Sequence, residues 1–245
     1  MYKKGLAISI IVLFIGVSFQ PIIAENTISV VKESNSNVDF EDAKEYLFQI
    51  IIDISINPDV KNLFEQLKYD QKIFTSDYDY KSAFLQILFK KPRLLKSILF
   101  TRPKMTCEYL ETNYNKGLEI IDILGIEETS KMMESVKITN PDLFNEFKII
   151  IENDKDLSNR ISVLEEVNNN LKSNLGFQNN STICNILYII FIPIGLGTIF
   201  SAILMDWAMY RDNQLLYNIA EFLFILFLNI AVFIGAFMLI FDCPL

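Results

Sequence analysis

Apolar residues are arranged in two ways along the chain. Residues 39–175 carry them every three or four positions among charged ones, the spacing of helices with one buried face. Leu6–Phe19, Ile183–Leu204 and Leu215–Phe241 are almost wholly apolar, over 14, 22 and 27 residues.

The middle region predicts helices over Phe40–Ile56, Pro58–Lys68, Tyr80–Lys90, Pro92–Phe100, Lys104–Leu124, Glu127–Val136 and Pro141–Leu175. Two of them start alike, with NPDV at 57–60 and NPDL at 140–143. Asn suits the N-cap, Pro the first helical position, and Asp the first turn, where the helix dipole favours an anion. Shared capping chemistry accounts for the likeness without an internal repeat. No stretch alternates polarity long enough for a sheet, so the expected class is all-α.

Cys107, Leu110, Tyr114, Leu118, Ile121 and Leu124 step by three or four. This predicts that Cys107 faces the core as a small hydrophobe. Leu157, Ile161, Leu164, Asn168, Leu171 and Leu175 alternate steps of four and three. That is coiled-coil spacing, with Asn168 placed inward where it can set register. It predicts either a stalk that pairs with a second copy through residues 157–175 or a seam docked on its own domain. Residues 154–165 also match a calcium loop in spacing, with Asp154, Asp156, Ser158 and Glu165 as oxygen ligands. A tight loop and an unbroken helical seam exclude one another, and no second loop accompanies the first. The expectation is therefore no metal and no cofactor. The Asp77–Asp79 pair reads as a cap and turn with Ser76.

The last two apolar runs each exceed the roughly 20 residues a helix needs to cross a bilayer. Their connector, MDWAMYRDNQ, is short, so the two spans form an antiparallel hairpin. Trp207 and Tyr210 suit the membrane interface. Gly197 with Ser201, and Ala231 with Gly235, are small-residue pairs that allow close helix approach. Glu221 and Asn229 are the polar outliers of the second span, and an ionisable residue within a membrane segment is a functional candidate.

The first apolar run comes after Lys3 and Lys4 and precedes Pro21 and Ala24, the pattern of a secretory signal. Cleavage after Ala24 is expected, with an uncleaved anchor as the alternative; in both cases the helical domain is exported. The expected order is a signal peptide (1–24), a disordered segment (25–38), an extracytoplasmic helical domain (39–156), a coiled-coil stalk and polar tether (157–182), a transmembrane helix (183–204), a short cytoplasmic loop (205–214), a second transmembrane helix (215–241) and an extracytoplasmic tail (242–245). The tether holds two glycosylation acceptors, Asn179 and Asn180. With both ends of the hairpin outside, Cys184 and Cys243 reach the same face of the membrane, in a compartment where disulfides persist. A Cys184–Cys243 bridge is expected.

Composition narrows the chemistry. The chain has 22 Lys and Arg against 30 Asp and Glu, and no His. An acidic chain repels phosphate backbones, which argues against nucleic acid. The missing His removes the commonest general base and metal ligand. No phosphate loop, dinucleotide fingerprint, zinc signature or nucleophile elbow is present. The leading expectation is a non-enzymatic, multi-pass cell-membrane protein that binds or organises a protein partner at the outer face. The alternatives are a transport or signalling component using Glu221 and an extracytoplasmic carboxylate hydrolase.

Overall fold

The computed structural model describes residues 40–65, 74–101, 103–170 and 181–243. The signal peptide, the 25–38 segment, Leu171, Leu175 and the two glycosylation acceptors lie outside the described residues. The helices are α1 (Phe40–Ile56), α2 (Pro58–Glu65), α3 (Tyr80–Lys90), α4 (Pro92–Phe100), α5 (Cys107–Leu124), α6 (Ile126–Glu134), α7 (Pro141–Asn153), α8 (Lys155–Asn170), α9 (Thr182–Tyr210) and α10 (Gln214–Ile240). The NPD starts cap as their chemistry requires. Asn57 Oδ1 accepts from the N–H groups of Asp59 and Val60, and Asn140 Oδ1 from that of Leu143.

A small antiparallel sheet departs from the all-α expectation. β1 (Phe74–Ser76) pairs with β2 (Val136–Ile138), Phe74 opposite Ile138. Strands of three residues are too short to show alternation, and their pairing is a tertiary event between segments about 60 residues apart.

Helix α9 is the axis of the fold. From Ile183 to Ile194 its side chains are buried, most of them completely. Helix α10 lies along it, α5 crosses it, and α1, α3 and α4 touch it. The α5 crossing depends on Gly117: a Cβ there would overlap the Ile189 carbonyl oxygen and side chain. This contact also corrects the expected face of α5. The buried face carries Leu110, Asn113, Tyr114, Gly117 and Ile120, while Leu118 is exposed. The helix is thus turned by one position, about 100°, from the expected stripe. It begins only at Cys107, capped by Thr106, so Cys107 sits exposed in the first turn rather than in the core. Partial desolvation of its sulfur and the nearby Asp53 raise its pKa.

Two lysines tie the helices around this axis. Buried Lys44 of α1 bridges Glu41 at 2.6 Å and Glu111 of α5 at 3.2 Å, with its ammonium 4.9 Å from the Tyr114 ring centre. Burial draws its pKa down, but the two carboxylates outweigh it and the net shift is upward. Lys116 donates to the Ser97 carbonyl and Thr101 hydroxyl at the end of α4, and burial lowers its pKa. A cation is favoured at a helix C-terminus.

The long helix expected over Pro141–Leu175 is broken at Asp154 into α7 and α8. Asp154 Oδ1 accepts from the N–H groups of Asp156 and Leu157, which makes it a capping residue. Leu157, Ile161 and Leu164 are buried within the chain, and α8 packs on α1. The Arg160–Asp53 ion pair fastens the same contact. These three seam residues therefore pack against their own domain.

Gly117→Val is expected to destabilise the full-length protein by about 2–3 kcal/mol through overpacking, with a fall in thermal midpoint. Gly117→Ala decides the sign. An open helical site gains roughly 0.5–1 kcal/mol from Gly→Ala, whereas this one is expected to lose stability.

Candidate functional site

The hairpin and its junction with the helical domain hold the chemically distinctive groups. The turn between α9 and α10 takes only residues 211–213, shorter than the ten-residue loop expected. Asp212 adopts a left-handed φ of 50°, its N–H reaches the Met209 carbonyl, and the Asn213 N–H reaches that of Ala208. This is the Schellman pattern, with Asp where Gly is usual. Asn213 then serves at once as the N-cap of α10, accepting from the Leu216 N–H at 3.1 Å. Sharing one residue between two caps lets both helices run into the expected connector. The Arg211 guanidinium lies 5.7 Å from the Trp207 ring centre.

The other end repeats the device. Asp242 has φ 49°, its N–H reaches Leu239, and the Cys243 N–H reaches the Met238 carbonyl at 2.8 Å. The turn folds Cys243 back over α10 and toward the first turn of α9. There it is bonded to Cys184, with Cα atoms 5.5 Å apart. The start of α9 is capped twice: Ser181 Oγ accepts from the Cys184 N–H, and Asn168 Oδ1 of α8 from the Ile183 N–H. Asn168, expected at a coiled-coil position, instead ties the domain to the hairpin.

Packing between the two long helices uses Gly197, where a Cβ would press on the Phe227 ring. Ser201 is buried, and its hydroxyl donates to the Gly197 carbonyl. Gly235 faces elsewhere: a Cβ there would meet Phe74 of β1. Gly235 of α10 therefore serves contact with the domain. An aromatic cluster of Phe64, Phe147, Phe233 and Phe237 joins α10 to α2 and α7.

The remaining predicted residues are not brought together. Glu221 is exposed on the outside of α10 and Asn229 is half-buried. They stand eight residues apart, about 12 Å along the axis. The calcium candidates fail as a set. Asp156, Ser158 and Glu165 lie along the continuous helix α8, which cannot wrap an ion as a loop does. Among the described residues no group of three or more Cys, Asp or Glu could hold a metal ion.

One feature has no counterpart among the sequence-based expectations, a cavity of about 480 Å³ between the hairpin and the sheet. Its long wall is one face of α9 from Phe191 to Asp206, with Phe224, Leu228 and Ala231 of α10 beside it. Met132, Met133 and Val136 form the opposite wall. Phe74 closes the upper end, its ring 5.9 Å from that of Phe191. Nearby runs a directed chain of hydroxyls. Ser135 Oγ donates to the Met132 carbonyl, so Ser76 Oγ must donate to Ser135 Oγ at 2.6 Å, and Tyr80 donates to Ser76 Oγ at 2.9 Å. Tyr78 donates to Glu128 at 2.6 Å, and burial followed by that carboxylate pushes its pKa up. Asp79 caps α3 and Asp77 pairs with Lys137. The cavity forms only when distant strands pair, so no local pattern announces it.

Comparison with protein-family models, with curated proteins and with solved structures finds no match for the chain.

Alkylation under denaturing, non-reducing conditions is expected to add one label, on Cys107, and three after reduction. Replacing Cys184 and Cys243 together by Ser is expected to cost about 2–4 kcal/mol, read as a lower thermal midpoint that reductant no longer shifts.

Proposed function

We propose that this protein is an exported, membrane-anchored helical protein, not an enzyme. Its hairpin enters the bilayer by its tip and holds the helical domain against the outer face, where the domain binds or organises a protein partner. The observation that carries the reading is the uneven covering of the hairpin. Helices α9 and α10 are both long and apolar enough to cross a membrane. Protein covers their disulfide-linked ends, whereas the other ends expose Trp207 (50%), Met209 (62%), Leu215 (61%) and Ile219 (48%). An uncovered apolar surface of this kind marks a membrane or partner surface.

Length refines the placement. Residues 198–210 extend about 20 Å at 1.5 Å per residue, short of the roughly 30 Å hydrocarbon core. The tip carries Asp206, Arg211 and Asp212, all exposed, and charges are costly inside a bilayer. A tip that reaches the far headgroups therefore requires the underside of the domain to sink. Helix α3 supplies a suitable surface. Phe84 stacks on Phe200 of α9 at 5.2 Å, and beside it Leu85, Leu88 and Phe89 are exposed, with Lys81, Lys90 and Lys91 around them. This is the pattern of a helix lying in a membrane interface. Glu221 is exposed rather than buried between the two helices, which favours an anchor over a conducting path between them.

The test uses full-length protein in phosphatidylcholine vesicles, with Phe89→Cys carrying an environment-sensitive fluorophore in a Cys107→Ser background. Carbonate-resistant membrane association and a several-fold fluorescence rise at position 89 are expected. A protein released by carbonate sinks the anchor. A dim, iodide-quenchable label on a carbonate-resistant protein sinks the placement of α3.

A further inference from the structure

We infer that the junction cavity is a binding site for one acyl chain of a phospholipid from the outer leaflet. The inference rests on the proposed membrane seating of the hairpin. Four observations carry it. The volume, about 480 Å³, falls within the roughly 300–1,000 Å³ of small-molecule sites. The shape is elongated: its α9 wall from Phe191 to Asp206 runs about 22 Å at 1.5 Å per residue. The walls are apolar through the middle, where Ile192, Leu196, Ile199 and Leu228 face the space, and Met132 and Met133 provide a surface that adapts to a flexible chain. The cavity is also continuous with the uncovered half of the hairpin, since Ile203 both lines it and is 43% exposed.

Polarity sets the orientation. At the domain end the lining includes Thr75, Ser76 and Tyr80. Tyr80 donates to Ser76, which leaves its phenol oxygen as an acceptor. Toward the hairpin tip the lining is apolar as far as Asp206 at the lower mouth, apart from Thr198, whose hydroxyl is engaged with the Ile194 carbonyl. A phospholipid of the outer leaflet presents the same order, headgroup at the domain and chain toward the membrane interior. A mostly apolar lining with a few placed polar groups is the usual form of a small-molecule site. Gly195 keeps the wall thin. A Cβ there meets only the Phe191 ring, at 3.6 Å, so close helix packing does not require glycine at this position, and a larger side chain would project toward the cavity.

The test reconstitutes full-length protein in phosphatidylcholine vesicles containing a phosphatidylcholine with a diazirine in one acyl chain. After irradiation, adducts are mapped by mass spectrometry. Adducts are expected at Ile192, Leu196, Ile199 and Leu228, as well as at the lipid-facing Leu215 and Ile219. Ala202→Phe and Gly195→Leu are each expected to reduce cavity adducts at least tenfold, leave those at 215 and 219 unchanged, and retain the Cys184–Cys243 bridge. Adducts at 215 and 219 without any in the cavity overturn the acyl-chain site while the membrane seating stands. Absence of adducts at all these positions overturns the seating, and the site with it. Labelling of the cavity by free diazirine-palmitate but not by the phospholipid overturns the phospholipid source. If both variants fail to fold, the wild-type adduct map still decides.

Discussion

The close crossing of α5 over α9 at Gly117 is the contact on which the structure depends. It brings the backbone of an amphipathic helix against the backbone of a helix apolar enough to leave water. Around that crossing α1, α3, α4, α5 and α10 pack on α9, and α7 packs on α10. The hydrophobic effect requires an apolar surface to leave water, but it does not specify whether protein or lipid covers it. Here protein covers one half of the hairpin, and we assign lipid to the other.

The disulfide, the double cap on α9 and the two Schellman turns serve this division. Each fixes a helix end that would otherwise leave unpaired backbone groups beside an apolar environment. Asn168 couples the cap to α8, and α8 is held to α1 by Leu157, Ile161, Leu164 and the Arg160–Asp53 pair. Both ends close with a capped turn, and the covered end adds the disulfide and the tie to α8, whereas the tip turns the chain in three polar positions. The junction cavity lies between these ends, where the protein cover stops before the hairpin does.

Much of this was legible in the residues. Helical spacing located Phe40–Ile56, Tyr80–Lys90 and Pro92–Phe100 at their observed bounds, because Pro and Asn or Asp mark their limits. The cysteine pair was legible because antiparallel apolar runs bring their outer ends together. Beside the small sheet and the cavity, three further features were not. The rotation of α5 depends on Gly117 meeting Ile189, a contact between distant segments that a stripe of larger residues outvoted. The break at Asp154 was hidden because capping Asp residues and calcium-loop Asp residues look alike in sequence. The protein sheath over Ile183–Ile194 could not be foreseen, since a run of apolar residues reads the same whether protein or lipid surrounds it.

The division of the hairpin is the central claim, and a bilayer-partitioned aryl diazirine tests it most directly. Full-length protein in vesicles would be irradiated with this small apolar carbene source and modification mapped along α9 and α10. Strong labelling is predicted at Trp207, Leu215 and Ile219, with none above background at Ile183, Ile186 and Ile190. Uniform labelling along the whole of α9 would contradict the division, as would labelling confined to the disulfide-linked end.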